Sequence, residues 1–372
     1  MRIGVPAEVK DNEFRVALTP AGTLDLVSLE HEVVVQSGAG AGSGFTDAQY
    51  SEAGARIAES AGEVWSGELM LKVKEPQAEE YSLMRQGQVL FTYLHLAAEP
   101  DCAQALQERG VTALAYETVT GPKGLPLLAP MSEVAGRMGA QVGAYHLMHS
   151  QGGSGVLTGG VPGARAAKVV VIGGGTAGEH AAVTALGMGA SVTVVDLSID
   201  RLRELSAISQ QGLATRASNK LTIAEEVAAA DLVIGSVLIP GASAPKLVTQ
   251  EMVTRMRPGS VLVDIAIDQG GCFEGSRPTT HADPTFRLGE QIYYCVTNMP
   301  GGVPQTSTAA LTNATLPYIF AIASKGWRKA LKDDPHLAKG LNVHAGGITY
   351  GPVAEALGED LLPVAELLGA PE

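Results

Sequence analysis

AKVVVIGGGTAGEHAAVTALGMGASVTVVD, Ala167–Asp196, is the stretch whose reading decides the fold. It opens on an apolar run of the kind that forms a strand buried on both faces. Gly173-x-Gly175-x-x-Gly178 follows, then a helix-period segment, then a second strand ending on Asp196, 18 residues beyond Gly178. That order predicts a βαβ unit with a dinucleotide at its first turn. Gly173 permits the turn, Gly175 lets the backbone approach a pyrophosphate, and Gly178 lets the helix pack closely on its strand. The helix N-terminus attracts phosphate, and Asp196 is placed to accept hydrogen bonds from the adenosine ribose. A glycine trio alone also serves as a helix-packing turn; strand, helix, second strand and terminal acid together select the dinucleotide reading.

Outward from this unit, apolar runs continue at Asp231–Ser236, Ser260–Ile265 and Ile292–Thr297. The first half has strand-like runs at Arg2–Val5, Glu32–Gln36, Leu69–Val73, Gln88–Tyr93 and Thr112–Tyr116. Helix-period segments separate them at Ala21–Leu29, Ala48–Gly54, Glu79–Arg85 and Asp101–Arg109. Alternating β and α elements predict an α/β chain of two doubly wound, Rossmann-like domains with mostly parallel sheets. The run GAGAGSG, Gly38–Gly44, also follows a strand but holds no trio at the required spacing, and Asp47 reads as the cap of the next helix. Only the second half should bind a dinucleotide.

Two long helical segments are candidates to join the domains. Ser132–Gln151 carries Val134, Met138, Val142 and Tyr145 at spacings of three and four, with Ser132 as its N-cap. The other begins near Ser307 and should bend at Pro317. The expected organisation is a discontinuous substrate domain, 1–127 plus 306–372, around a dinucleotide-binding domain, 128–305, with a ligand cleft between them.

Composition narrows the function. Lys and Arg number 26 against 39 Asp and Glu, a formal net charge of −13 with no basic patch, which argues against nucleic acid. The three cysteines, Cys102, Cys272 and Cys295, are scattered and form no C-x-x-C pair, as in a reducing cytoplasm without a Cys-based metal site. The N-terminus has no signal-peptide pattern, and no apolar run reaches the ~18 residues of a membrane span.

Four polar residues stand where open α/β sheets place their ligands, at strand ends and loop starts. Arg15 lies in NEFRVALTP, Lys74 in LMLKVKEP, His95 in VLFTYLHLA and Asp268 in VLVDIAIDQGG. Each has a plain structural reading as well: a solvated cation for Arg15 and Lys74, a core histidine, a turn cap before Gly270. Lys72 complicates Lys74, two residues earlier on the same strand face. As a set they suit oxidation of an amino or hydroxy acid, with cations for a carboxylate, a histidine for a proton and a carboxylate for amine or water.

With these residues in view, the chain resembles the L-alanine dehydrogenases. NEFRVALTP, LKVKEP, LFTYLHLA, APMSEVAGRMGAQVGAYHL, GGGTAG, VDIAIDQGGCFEGSRPTT and VTNMPGGVPQTST carry the likeness along nearly the whole chain. The nucleotide-binding subunit of proton-translocating transhydrogenase shares part of it, as, more distantly, do saccharopine dehydrogenases. The resemblance implies NAD as cofactor, with L-alanine, pyruvate and ammonia as substrate and products. It implies Arg15 and Lys74 on the carboxylate, His95 as acid/base and Asp268 on amine or water. Gly173, Gly175, Gly178, Asp196, Ser132, Ser218 and Asn298 would lie along the dinucleotide, with Arg201 near its adenosine end. Tyr93 and Met131 are candidates for the wall around the substrate methyl. The resemblance also implies a cytoplasmic homohexamer. A metal associated with the family falls at Glu117 and a second position that is Lys325 here, so no metal is expected. Two other functions share these features: a transhydrogenase nucleotide subunit and a noncatalytic NAD sensor.

Overall fold

The computed structural model describes residues 1–208, 212–237 and 244–369. The chain forms two compact units, Met1–Met131 with Val303–Glu372, and Ser132–Gly302. In chain order, the first unit supplies β1 (Arg2–Val5), β2 (Glu32–Gln36), β3 (Arg56–Ala58), β4 (Leu69–Leu71), β5 (Val89–Thr92) and β6 (Thr112–Ala115). The second supplies β7 (Lys168–Ile172), β8 (Ser191–Asp196), β9 (Leu213–Ala217), β10 (Leu232–Gly235), β11 (Val261–Asp264), β12 (Thr285–Leu288) and β13 (Gln291–Tyr294). Two last strands, β14 (Leu341–His344) and β15 (Gly347–Ile348), return to the first sheet.

Within each unit the winding is the same. The first sheet runs β3-β2-β1-β4-β5-β6-β14-β15, parallel up to β6, with β14 antiparallel to β6 and β15 antiparallel to β14. The second runs β9-β8-β7-β10-β11-β13-β12, with only β12 antiparallel. Both are doubly wound α/β sheets, as the alternation of elements predicts. The central strands β4, β5, β10 and β11 are buried at every position, which is why they read as unbroken apolar runs. In each sheet the strand order reverses beside the first strand, between β1 and β4 and between β7 and β10. Doubly wound sheets open a crevice for ligands at that point, at the carboxyl ends of the strands.

Several local expectations change. The helix read from Ser132 begins at Ala129, so Ser132 lies inside it and caps nothing. Asp47 is not a cap either: Thr46 caps the helix Asp47–Glu52 in a capping box with Gln49. The Asp47 carboxylate instead accepts from the Ser37 hydroxyl and the Gly38 N–H at 2.8 and 2.9 Å. The expected helix Glu79–Arg85 is a single 3-10 turn, Tyr81–Leu83. The helix expected near Ser307 starts at Pro304 and continues through Pro317 to Lys325. Among the described residues no helix is long and apolar enough to cross a membrane.

Candidate active site

In the first unit, Arg15, Lys74 and His95 follow β1, β4 and β5, three neighbouring strands, at their carboxyl ends. Arg15 lies in the long loop between β1 and the helix Pro20–Ser28 and is 2% exposed. Its partner is Glu13, equally buried. One oxygen of Glu13 accepts from the Arg15 backbone N–H at 3.1 Å and from Nε at 2.7 Å, and the other accepts from Nη2. Nη1 faces the Met131 sulfur at 3.0 Å. A guanidinium held at its fork in this way cannot swing. The loop itself is pinned, since the Val16 N–H donates to the Thr308 hydroxyl at 3.1 Å. The Ser43 hydroxyl reaches the Phe14 carbonyl at 2.9 Å and Thr308 Oγ1 at 2.7 Å. A Cβ on Gly42 would lie 2.8 Å from the Phe14 carbonyl oxygen, which accounts for one glycine of the Gly38–Gly44 run. A cavity of about 330 Å³ opens beside this loop, with Glu8, Glu13 and Arg15 in its lining.

Lys74 is half-buried, and its backbone is held from the loop after β1. The Glu8 carboxylate accepts from the Val73 and Lys74 N–H groups at 2.6 and 3.3 Å. It also accepts from Lys72 Nζ at 3.1 Å, and Lys72 reaches Glu80 at 2.9 Å. Burial pushes the Glu8 carboxyl up, against the pull of Lys72. Lys72, fully buried between two carboxylates, is structural, so it does not compete with Lys74.

His95 has a φ of 50°, the left-handed region, which costs a residue with a Cβ about 1–3 kcal/mol. Glu117, in the 3-10 turn after β6, holds it there. Its carboxylate accepts from the Leu94 N–H at 3.1 Å and the His95 N–H at 2.7 Å, and lies 3.9 Å from His95 Nδ1. The imidazole stacks on Tyr93, 5.9 Å between centroids and 5° from coplanar, and the Tyr93 hydroxyl donates to the Leu127 carbonyl. The imidazole is thereby fixed yet 42% exposed. Lys325 pairs with Asp333 at 2.8 Å, and no group of His, Cys, Asp and Glu among the described residues could hold a metal ion.

In the second unit, Gly173 has a φ of 96°, Gly175 precedes the helix Thr176–Gly187, and Gly178 is buried in its first turn. A Cβ on Gly178 would sit 1.9 Å from the Gly173 carbonyl oxygen, whereas one on Gly175 would meet nothing. The residues present therefore fit a pyrophosphate: the turn is closed behind by Gly178 and open in front at Gly175. Asp196 ends β8, and its two oxygens accept from the Gly174 N–H at 2.6 Å and the Ser198 N–H at 2.7 Å. Ser218, half-buried after β9, donates its N–H to the Asp196 carbonyl at 2.9 Å. Ser132 is half-buried in its helix, and Asn298, beyond β13, has a φ of 53°. Asp268 is exposed on the 3-10 turn Ile265–Gln269 after β11. That turn is anchored by Asp264, whose buried carboxylate accepts from the Cys272 N–H at 3.0 Å and the Ser276 hydroxyl at 2.6 Å.

Arg201 reaches across the glycine loop but does not pair with Asp196. Its Nε donates to the Gly174 carbonyl at 2.6 Å, Nη1 to Glu204 at 2.7 Å, and Nη2 to Glu179. Sequence reading missed Glu8, Glu13 and the backbone role of Glu117. The one local signal was the repeated acid in EVKDNEFR, beside the cation it serves.

Family models match both halves of the chain in order: the alanine dehydrogenase/PNT N-terminal domain over residues 4–135 and the alanine dehydrogenase/PNT C-terminal domain over residues 139–351. The chain belongs to this family. It is 59% identical over 370 residues to an alanine dehydrogenase of Mycolicibacterium smegmatis, covering 99% of this chain and all of that one. A solved L-alanine dehydrogenase superposes with a TM-score of 0.93 at 48% identity, covering 96% of this chain and 99% of the other. A transhydrogenase from Sinorhizobium meliloti superposes at 0.81 and 26% identity, covering 94% and 99%. Family membership makes the chain an oxidoreductase and brings with it a fold suited to NAD.

Proposed function

We propose that this chain interconverts L-alanine with pyruvate and ammonia, using NAD. The observation that carries the reading is the row Arg15, Lys74 and His95 on adjacent strand ends, beside the β1–β4 switch point. The alanine dehydrogenase names of its relatives support it. A bound nicotinamide supplies the hydride acceptor, and the glycine loop, Asp196, Ser218, Ser132 and Asn298 would hold its dinucleotide, with Arg201 at the adenosine end.

Arg15 and Lys74 take the substrate carboxylate. Glu13 fixes the Arg15 guanidinium beforehand and Glu8 holds the Lys74 backbone, so less ordering is left for binding. The Cα–H of the neutral amine would leave as hydride to that acceptor, giving an iminium. As water adds to the iminium carbon, the His95 imidazole accepts a proton from it and then passes that proton to the carbinolamine nitrogen so that ammonia can leave. The reverse direction retraces these steps. Asp268 orients that water and the amine. The carbinolamine then releases ammonia and leaves pyruvate. Tyr93, stacked on His95, and Met131, against Arg15, form the wall that limits the side chain to a methyl. One extra methylene there changes discrimination by only ~1–3 kcal/mol.

The proposal extends to a cytoplasmic homohexamer; light scattering should find six copies of a 38.4 kDa chain. The activity itself is tested by following NADH absorbance with NAD and L-alanine in alkaline buffer. Steady NADH formation is expected. No turnover with alanine, or hydride exchange only between two dinucleotides, overturns the reading.

A further inference from the structure

The adenosine end of the dinucleotide loop carries a charge arrangement beyond what Asp196 explains. Arg201 is the residue there that could welcome a 2′-phosphate, since an arginine at this place serves that purpose in NADP-binding folds. Each of its three side-chain nitrogens has a partner: the Gly174 carbonyl, Glu204 and Glu179. Glu204 lies one turn further along the same helix, 63% exposed. Glu179 comes from another element, the first turn of the helix after the glycine loop, and is 26% exposed, as is Arg201. Arg203, the next cation, is solvated and pairs with Asp200. Asp196 takes no part in holding Arg201, because its oxygens go to the Gly174 and Ser198 N–H groups. Two carboxylates and a backbone carbonyl thus engage one guanidinium whose charge is already spoken for.

We propose that Glu179 and Glu204 are coenzyme-selectivity residues: by holding Arg201 they withhold its charge from a 2′-phosphate and reinforce the preference for NAD. The inference rests on the dinucleotide reading of this loop. It has a consequence for Asp196→Ala. Removing that carboxylate lifts one repulsion but leaves Arg201 engaged, so the gain with NADP stays small until Glu179 and Glu204 are neutralised too. Glu179 sits beside the pyrophosphate end of the loop, so its partner also screens the bound phosphates from its charge.

The test is direct binding of NADH and NADPH, by fluorescence titration, to four chains: native, Asp196→Ala, Glu179→Gln/Glu204→Gln, and all three changes together. The triple variant should bind NADPH about fivefold to twentyfold more tightly than Asp196→Ala, the weight of one solvent-accessible ion pair or two. NADH affinity of the Glu179→Gln/Glu204→Gln variant, which keeps Asp196, should stay within about threefold of native and so reports a folded site, while both variants carrying Asp196→Ala lose NADH affinity alike. Adding Arg201→Ala to the triple variant should erase the extra gain. Glu179→Ala alone serves as a second, milder release of the guanidinium and should shift NADPH in the same direction. NADPH affinity no better in the triple variant than in Asp196→Ala, or a gain that survives loss of Arg201, overturns the inference. A native chain that binds neither dinucleotide overturns the proposed function instead, a separate outcome.

Discussion

At the β7–β10 switch point the chain leaves its strand through Gly173 and enters a helix three residues later. At the β1–β4 switch point it leaves through Pro6 and passes through a charged loop before Thr19 caps the helix at Pro20. The strand order around the two points is the same, so topology supplies a crevice in both. What lines the crevice then decides its ligand. The glycine turn offers backbone N–H groups and the partial positive charge of a helix end, which suits a diffuse phosphate. The charged loop offers a whole cation, Arg15, braced by buried Glu13, and its Glu8 holds the backbone of a second, Lys74, after β4, which suits a small carboxylate. A glycine turn reads its ligand by approach, a charged loop by countercharge.

His95→Ala should break the comparison hardest, because it removes chemistry from one switch point and nothing from the other. Turnover should fall ~10²–10⁴-fold with NADH affinity intact. Equal turnover across the alkaline range would show that the proton moves elsewhere. Next comes Arg15→Ala, for which pyruvate binding to the NADH-loaded protein should weaken by ~2–4 kcal/mol, about 30- to 1000-fold. The same change strands Glu13 in the interior, so denaturant unfolding should register a loss of about 3–5 kcal/mol. Unaltered stability would mean that the pair does not brace the loop.

Gly178→Ala addresses the other switch point. Its Cβ cannot coexist with the Gly173 carbonyl as placed, so strand and helix must separate. Overpacking of this kind costs about 1–3 kcal/mol, and NADH titration should show at least about tenfold weaker binding. The smallest effect on ligands belongs to the amino ends of the strands, where buried Asp231 precedes β10 and pairs with Arg165 and Arg257 at 2.6 and 3.1 Å. Burial would raise its carboxyl, but Arg165, the Lys168 N–H and Arg257 outweigh it and hold the pKa below the usual value. A depressed carboxyl stabilises the fold above its unfolded pKa and loses that contribution as pH falls through the folded one. Asp231→Asn should therefore melt lower than the native chain at neutral pH, with the gap closing below about pH 4 and NADH affinity unmoved throughout.

The fold was legible where burial forces a pattern. β1 and β2 coincide end to end with the runs read from sequence, β8 ends on Asp196 as read, most other central strands differ by a residue or two at their ends, and β13 stops at Tyr294, three residues before the end of the run that signalled it. β3, β9, β12, β14 and β15 escaped. They lie at or beside sheet edges, and a strand such as LATRA, half-buried at best, needs no apolar run. The dinucleotide loop was legible because all its parts lie within one βαβ unit. The bracing acids were not: Glu117 holds His95 across 22 residues and Glu8 holds Lys74 across 66. No local periodicity encodes a hydrogen bond between loops of neighbouring strands. Arg201 shows the same limit, since Glu179 meets it from another helix.

The division of labour between the two switch points is tested most directly by one titration pair on Lys74→Ala: NADH into the free protein, then pyruvate into the NADH complex. Lys74 belongs to the charged switch point alone, and its backbone brace through Glu8 survives the substitution. The account predicts NADH affinity within about threefold of native and pyruvate affinity lower by about 30-fold or more. Pyruvate binding that stays native, or NADH binding that falls in step with it, would contradict the assignment of one ligand to each switch point.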